Sequence, residues 1–405
     1  MTDRCDALVA GGGLTGLTAA LALARGGLRT ALVDPGGAPD PRWSAVSHAS
    51  LRAWEALGVA GLREAAQPIR RMVVGEGPRP SAAAPAWALA ASLQFDAAEL
   101  GEGDDPLAWM VENTAALAAL RAALTAAGVQ VIAGRVAGVE AGAAVAAVGL
   151  ADGGELEAGL VIGADGRRSA VREAAGIAVE TRPYRRSGVV ATVRLSRPHG
   201  GAARQLFLPD GPLAVLPLPD DHASLVWTTD PASADALVSG PPEAFEALLN
   251  RRLGDGIGPA TLAGPRAAFP LELRLAERMT GPRTALVGDT VQAIHPVAGQ
   301  GLNLGLKDCA ALAEVIADAR RLGEDPGSEL VLDRYARWRR ADRATLAAGA
   351  DLFARGFSTE LAPVRAVRGL ALAAAGASAP LRRLFMREAG GLTGERPRLM
   401  RGEAL

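Results

Sequence analysis

The sequence predicts an α/β protein: one α/β domain assembled from separated segments, with a β-sheet domain inserted and a helical C-terminus. Three observations carry this. Residues 5–34 read as a strand, a glycine turn, a helix and a second strand. Strand and helix pieces recur near the other end of the chain. Between them, residues 184–230 hold short apolar runs split by Pro-Asp-Gly and Pro-Asp-Asp turns, the pattern of antiparallel strands.

Residues 5–10 (CDALVA) form a short apolar strand, 14–25 a helix and 28–34 (LRTALVD) a second strand, a β-α-β unit. Residues 35–47 are polar and rich in Pro and Gly, a loop. Residues 50–57 have helical spacing, and 75–90, rich in Pro, Ala and Gly, read as irregular. A helix follows at 113–127 and a strand at 129–133. Residues 136–163 make a strand meander turning at Asp152-Gly153-Gly154. After the β-rich middle, 231–254 is helical, LELRLAERM alternates as a strand does, and TALVGD is a buried strand. Residues 302–322 and 330–354 are long helices, and the tail 361–405 is helical and Arg-rich.

Composition narrows the function. Apolar residues make up 49%, so the chain is globular, and a net charge of −1 argues against a nucleic-acid partner. Of 43 basic residues only Lys307 is a lysine. The two cysteines, Cys5 and Cys309, cannot form a disulfide framework; both sit in apolar patterns, as buried, inert thiols do. A reducing cytoplasm is expected. Residues 7–24 carry no charge over 18 positions, but Gly11-Gly12-Gly13 and Gly16 interrupt the run. Asp3 and Asp6 precede it where a leader would be basic. It reads as strand, turn and helix, and no other stretch is able to span a bilayer, so membrane contact is expected to be peripheral.

Gly11-Gly12-Gly13-Leu14-Thr15-Gly16 fits G-x-G-x-x-G. It follows a strand, opens a helix and has Asp34 at the end of the second strand, the context of dinucleotide recognition. Gly11 permits the tight turn, Gly13 lets a pyrophosphate approach, and Gly16 lets helix pack on strand. Asp34 accepts from ribose hydroxyls and opposes a 2′-phosphate. The motif does not choose between NAD and FAD. A second stretch, LVIGADGRRSAVR at 160–172, runs a buried strand into the Asp165-Gly166 turn. A third, GDTVQAIHPVAGQGLNLGLKD at 288–308, places backbone freedom in front of a helix whose bare amides attract a negative or polar group.

These stretches, with GPLAVLPL at 211–218, resemble the class A flavoprotein aromatic hydroxylases, and within them the ubiquinone-biosynthesis hydroxylases of 2-polyprenylphenols (2-octaprenyl-6-methoxyphenol hydroxylase type). The likeness covers most of the chain; the run from His295 through Gly305 is its most specific part. It implies a Rossmann-like FAD-binding domain of the glutathione-reductase/p-hydroxybenzoate-hydroxylase type. Its segments would be 1–75, 106–180 and 276–350, with substrate-domain segments 76–105 and 181–275 and a helical end at 351–405. Gly288 and Asp289 would hold the ribityl chain, and Pro296 would pack near the isoalloxazine. Gly299, Gln300, Gly301, Leu302 and Asn303 would aim backbone amides at the flavin pyrimidine edge. Asp165-Gly166 would lie near the diphosphate. Arg42 would contact and gate the cofactor, and Asn113 would start the helix running past the adenosine. Thr290-Val291-Gln292 departs from the Ala-Ala-His of many members. His295, a loop histidine before proline, reads as structural.

The implied reaction is hydroxylation of an electron-rich phenol ring with FAD and O2, with electrons from NAD(P)H or a reductase partner. The pocket would lie between the inserted sheet and the flavin, with Phe207, Leu216, Pro217 and Trp227 as candidate lining. Residues 361–405 carry eight arginines and three glutamates. Leu361, Val364, Leu370, Leu372, Leu381, Leu384 and Phe385 are interleaved with Arg365, Arg368, Arg382 and Arg383. The segment suits either a basic amphipathic surface for anionic lipid at the inner face of the cytoplasmic membrane or a helix packed on the body. Other ubiquinone-biosynthesis proteins are the implied partners. A soluble aromatic substrate, a prenyl reductase of the same fold and a flavin-binding scaffold subunit are the rival readings.

Overall fold

In a computed structural model, residues 4–37, 40–76, 93–100, 105–208, 210–254, 257–293, 300–357 and 378–405 are described. His295, Pro296, Gly299, most of the 75–90 stretch and residues 361–377 of the tail lie outside them. Among the described residues no helix is long and apolar enough to cross a membrane.

The first sheet has a parallel centre. Strand Arg4–Ala10 lies between Glu155–Gly163 and Thr30–Asp34, with Thr284–Leu286 outside the former and Gln130–Ala133 outside the latter. Ala7, Leu8, Val9 and Ala10 are at most 1% exposed, because parallel strands are covered on both faces. The 136–163 meander folds as expected, with Val136–Ala141 and Ala146–Leu150 pairing antiparallel beside Glu155–Gly163. Helices Leu14–Arg25, Asn113–Ala126 and Gln300–Arg321 pack with this sheet around the main core. All five parallel strands end toward one side. The turns after Ala10, Asp34, Gly163 and Leu286 therefore meet there, where open α/β sheets hold ligands.

Residues 35–47 are not all loop. Trp43–Ser47 is a strand that pairs antiparallel with Ala108–Glu112, which also pairs with Gln67–Ile69. Its partner lies some sixty residues away, so the local sequence carries no sign of it. Strand Arg71–Glu76 belongs to the second sheet, beside Ala202–Leu208, rather than to the front segment.

That second sheet runs Gln292–Ala293, Ala260–Ala276, Val179–Leu195, His222–Thr229, Gly211–Pro217, Ala202–Leu208, Arg71–Glu76 and Leu93–Asp96. Side chains alternate between its faces. Val189, Val193, Leu206, Leu213, Leu225 and Trp227 point to one face and pack under helices Pro231–Ser239 and Pro242–Leu253. Phe207 and Leu216 point to the other. There Leu216 joins Ala203, Met110 and Trp43, facing the small three-stranded sheet. This corrects two of the four expected pocket residues. Trp227 is 1% exposed and its ring lies 6.4 Å from that of Phe245 under the helices. Pro217 lines a small cavity, about 90 Å³, on the same helix-covered face.

The tail divides. Helix Ala379–Ala389 is docked by Met386, which packs with Leu93 and Phe95. Beyond it the chain returns to the first domain: Leu399 and Met400 enter its core, and Arg398 pairs with Asp318 (2.7 Å) and Glu314 (3.3 Å). Arg398 thus holds the chain end to the body.

One buried ion pair ties the late helices to the first sheet. Asp308, on helix Gln300–Arg321, accepts from Arg339 Nε at 2.7 Å and from the Gly288 amide at 3.2 Å. Arg339 lies on helix Glu329–Phe357, and both residues are 0% exposed. Asp342 also contacts Arg339, and Lys307 reaches Asp342 at 2.8 Å. Tyr335 donates to Leu286 O. Removing one member strands a buried charge, at a cost of about 3–5 kcal/mol. Arg339→Met should therefore destabilise strongly in urea unfolding, and Asp308→Leu with Arg339→Met should recover much of the loss. Equal stability of wild type and Arg339→Met would remove this pair from the framework.

Candidate flavin site

The structure separates the front glycines by what surrounds them. A Cβ on Gly16 would meet Gly11 O at 1.8 Å, and one on Gly11 (φ +106°) would meet Ala164 O at 2.4 Å. These two let the helix and the Asp165 loop close on the turn. A Cβ on Gly12 would strike the Asp34 carboxylate at 2.1 Å, so Gly12 makes room for that side chain. A Cβ on Gly13 would meet nothing within 4 Å beyond its chain neighbours. Its space is open toward the helix start. There Gly13 gives no side-chain cap and the first turn of Leu14–Arg25 has no acidic residue. Bare amides with open room before them suit a diphosphate.

A second convergence lies beside it. Gly288 (φ +64°) and Gly305 both press on Thr15, with prospective Cβ contacts of 2.8 and 3.0 Å. Thr15 therefore seats the 288–290 turn against the first turns of helix Gln300–Arg321, which also carries no acidic residue at its start. Gly301 has open space around it. Leu302 is partly buried against the core. The Asn303 side chain bonds the main chain of the 43–47 strand, donating to Ala45 O and accepting from Ser47 N, both at 2.8 Å. This leaves the backbone amides of the first turn, rather than the asparagine side chain, as the donors the helix offers.

Three carboxylates at this edge each meet an arginine. Arg121 lies 3.4 Å from Asp34, and Arg167 lies 3.4 Å from Asp289. Arg42 forms a two-pronged pair with Asp40, both contacts 2.7 Å. Burial pushes the Asp40 carboxyl up, but hydrogen bonds from Arg42 and from Asn113 (2.9 Å) outweigh it and hold it below the usual range. Ser44 donates to Asn113 at 2.7 Å, and Thr114 donates to Asp40 O. Asn113 thus serves through Asp40, which the sequence reading did not single out. The Arg42 guanidinium, raised above its ordinary value chiefly by Asp40, also feels Asp289. Arg42 and Asp289 therefore belong to one electrostatic neighbourhood.

The Asp165 side chain turns inward. One oxygen accepts from Val171 N at 3.3 Å, the other is buried without a partner, and burial raises its pKa. Arg172, 4% exposed, donates to Thr290 O and Arg167 O and so binds this loop to the 288–290 turn. Gly166 (φ +79°) is open. Thr290 Oγ1 and both amide atoms of Gln292 are also buried without partners. The open glycines, the two helix starts free of acidic residues, the carboxylates at the edge and these orphaned polar atoms together fit FAD.

Gly13→Ala separates fold from ligand. Its φ of −74° accepts alanine and no protein atom is in the way, so stability should stay within about 1 kcal/mol of wild type. FAD affinity, read by flavin fluorescence titration, should fall at least about tenfold, or 1.4 kcal/mol. Unchanged affinity would place the diphosphate elsewhere.

A family model described as an FAD binding domain matches residues 4–349. The chain is 40% identical over 414 residues to ubiquinone hydroxylase UbiL of Rhodospirillum rubrum, covering 99% of this chain and 93% of that protein. It is 37% identical over 405 residues to 3-demethoxyubiquinol 3-hydroxylase of Escherichia coli, covering 97% and 100%. Among solved structures, p-nitrophenol 4-monooxygenase PnpA from Pseudomonas putida superposes with a TM-score of 0.79 over 97% of this chain and 100% of that one. At 21% identity that likeness is one of fold. Sequence, fold and cradle agree: the chain belongs to this FAD-binding family and is an FAD-dependent monooxygenase.

Proposed function

We propose that this monooxygenase hydroxylates the aromatic ring of a polyprenylated phenol in ubiquinone biosynthesis. Near full-length similarity to two ubiquinone hydroxylases carries the reading. Bound FAD would supply the redox chemistry: with two electrons from NAD(P)H or a reductase partner, one oxygen atom of O2 enters the ring and the other leaves as water. The chain's own work is to bind, orient and exclude water. Asp289 accepts from ribityl hydroxyls at the exposed edge, within the field of the Arg42 guanidinium. The start of helix Gln300–Arg321 stabilises negative charge on the flavin and on the phenolate.

The open face of the second sheet supplies the apolar side. Val190, Val226 and Ala214 are in register across three strands, followed by Gln205 on the next. Together with Phe207 and Leu216 they form a wall turned toward the three-stranded sheet. Val190, Val226, Phe207 and Leu216 are only partly buried, as surfaces facing a substrate are. The ring lies against this wall and the prenyl tail leads away from it. Other ubiquinone-biosynthesis proteins and the cytoplasmic face of the membrane, where so insoluble a substrate resides, are the proposed surroundings.

Deleting the gene in its host should accumulate a prenylphenol lacking one hydroxyl, identified by mass spectrometry of extracted lipids. Wild type should restore the quinone. Asp289→Ala, present at equal level, should not, since a lost hydrogen bond to an ionised group weakens FAD by about 1.5–3 kcal/mol. Normal quinone in the deletion strain would favour a soluble aromatic substrate, and rescue by Asp289→Ala shown to lack flavin would favour a scaffold role.

A further inference from the structure

Enclosed arginines of this chain find acceptors. Arg252, Arg283 and Arg339 meet carboxylates, and Arg172, Arg266 and Arg343 donate to main-chain carbonyls. Arg204 is half-buried and, among the described residues, has neither. Burial lowers its pKa, and the one charge acting on it is a second cation, Arg71. The two stand on adjacent parallel strands, where Ala202 is in register with Arg71 and Arg204 with Val73. Both side chains therefore leave the same face of the second sheet, the one that carries Leu206 and Leu208 under the helices. Asp96, opposite Arg71 on the edge pair, accepts from the Ala98 amide at 3.0 Å. Arg71 itself has no ion pair among the described residues. A Cβ on Gly200 would lie 3.3 Å from Arg71 Nη2, so the 199–201 loop comes down beside that guanidinium. Arg204, Arg197 and His199 line the cavity of about 90 Å³ that Pro217 also lines, and no acidic residue does. The His199 ring is spoken for: Nδ1 accepts from Gly201 N at 3.0 Å, which leaves the proton on Nε2 to be donated to Leu218 O at 2.7 Å.

We propose that this cavity is an anion site, which takes a phosphate-type dianion on the Arg204 guanidinium with Arg71 beside it. A desolvated cation without an acceptor is costly, and a like charge next to it adds to the cost. A dianion relieves both, and the guanidinium fork matches its paired oxygens. The cavity has room for a tetrahedral oxyanion but not for a flavin or a prenyl chain. It is separate from the proposed substrate wall, because Gln205 and Phe207 leave the strand on the opposite face from Arg204. An anion bound here draws together two strands of the second sheet and the loop before one of them, and so stiffens that sheet without competing with the phenol.

The full chain loaded with FAD is titrated with inorganic phosphate at constant ionic strength, with chloride making up the balance, and followed by calorimetry and thermal unfolding. Wild type should bind phosphate and melt at a higher temperature as phosphate rises, while chloride does neither. Arg204→Met should weaken phosphate binding at least about tenfold, and Arg71→Met by less. In chloride alone Arg204→Met should melt no lower than wild type, because the arginine it removes has no acceptor to lose. Glycerol phosphate separates the two sources of the group. Binding as tight as that of phosphate upholds the site as one for phosphate esters, and weaker binding upholds it as one for the free ion. Equal responses to phosphate and chloride, or unchanged phosphate binding by Arg204→Met, overturn the proposal. So does a marked loss of stability of Arg204→Met in chloride, since the arginine would then be a structural member of the sheet.

Discussion

The Asp308–Arg339 pair holds together the parts on which the flavin site depends. Asp308 uses one oxygen for the guanidinium and the other for the Gly288 amide, so one carboxylate joins two helices and the turn that presents Asp289. Both side chains are out of solvent, where an ion pair does not add stability over a well-packed apolar pair. Its value here is geometric. An apolar pair would leave the Gly288 amide without its acceptor and leave the turn free to shift relative to the start of helix Gln300–Arg321.

Close backbone approach is the second constraint. The glycines at 11, 16, 288 and 305 are occupied by protein, whereas Gly13 and Gly301 face open space. The first four draw two helix N-termini and two loops together; the other two leave room at helix starts that carry no acidic residue. Charge complements shape: the carboxylates that would meet sugar and ribityl hydroxyls each lie beside an arginine, so the edge is balanced rather than repulsive toward a diphosphate.

Much of this was legible in the sequence because it is local. The β-α-β unit, its glycines and Asp34 lie within thirty residues, and the Gly288–Asp308 stretch contains both the turn and the helix it opens. What was not legible depends on distant chain. The Trp43–Ser47 strand exists through Ala108–Glu112. Alternation in 211–229 shows two faces, but only helices 231–253 decide which one is covered, and this removed Trp227 and Pro217 from the open wall. Asp40 stands two residues from Arg42, yet its role appears only when Asn113 arrives from a later segment. For the tail the sequence left a lipid-facing surface and packing on the body both open; distant Glu314 and Asp318 claim Arg398 for the body.

A crystal structure of the protein with FAD tests the central claim most directly. The account predicts the diphosphate over Gly13 and the amides that follow it, and a ribityl hydroxyl within hydrogen-bond reach of Asp289, roughly 2.6–3.2 Å. It also predicts the flavin ring against the first turn of helix Gln300–Arg321, facing the Val190–Val226–Ala214 wall. A ring bound away from that helix start, or a ribityl chain that leaves Asp289 untouched, would contradict it.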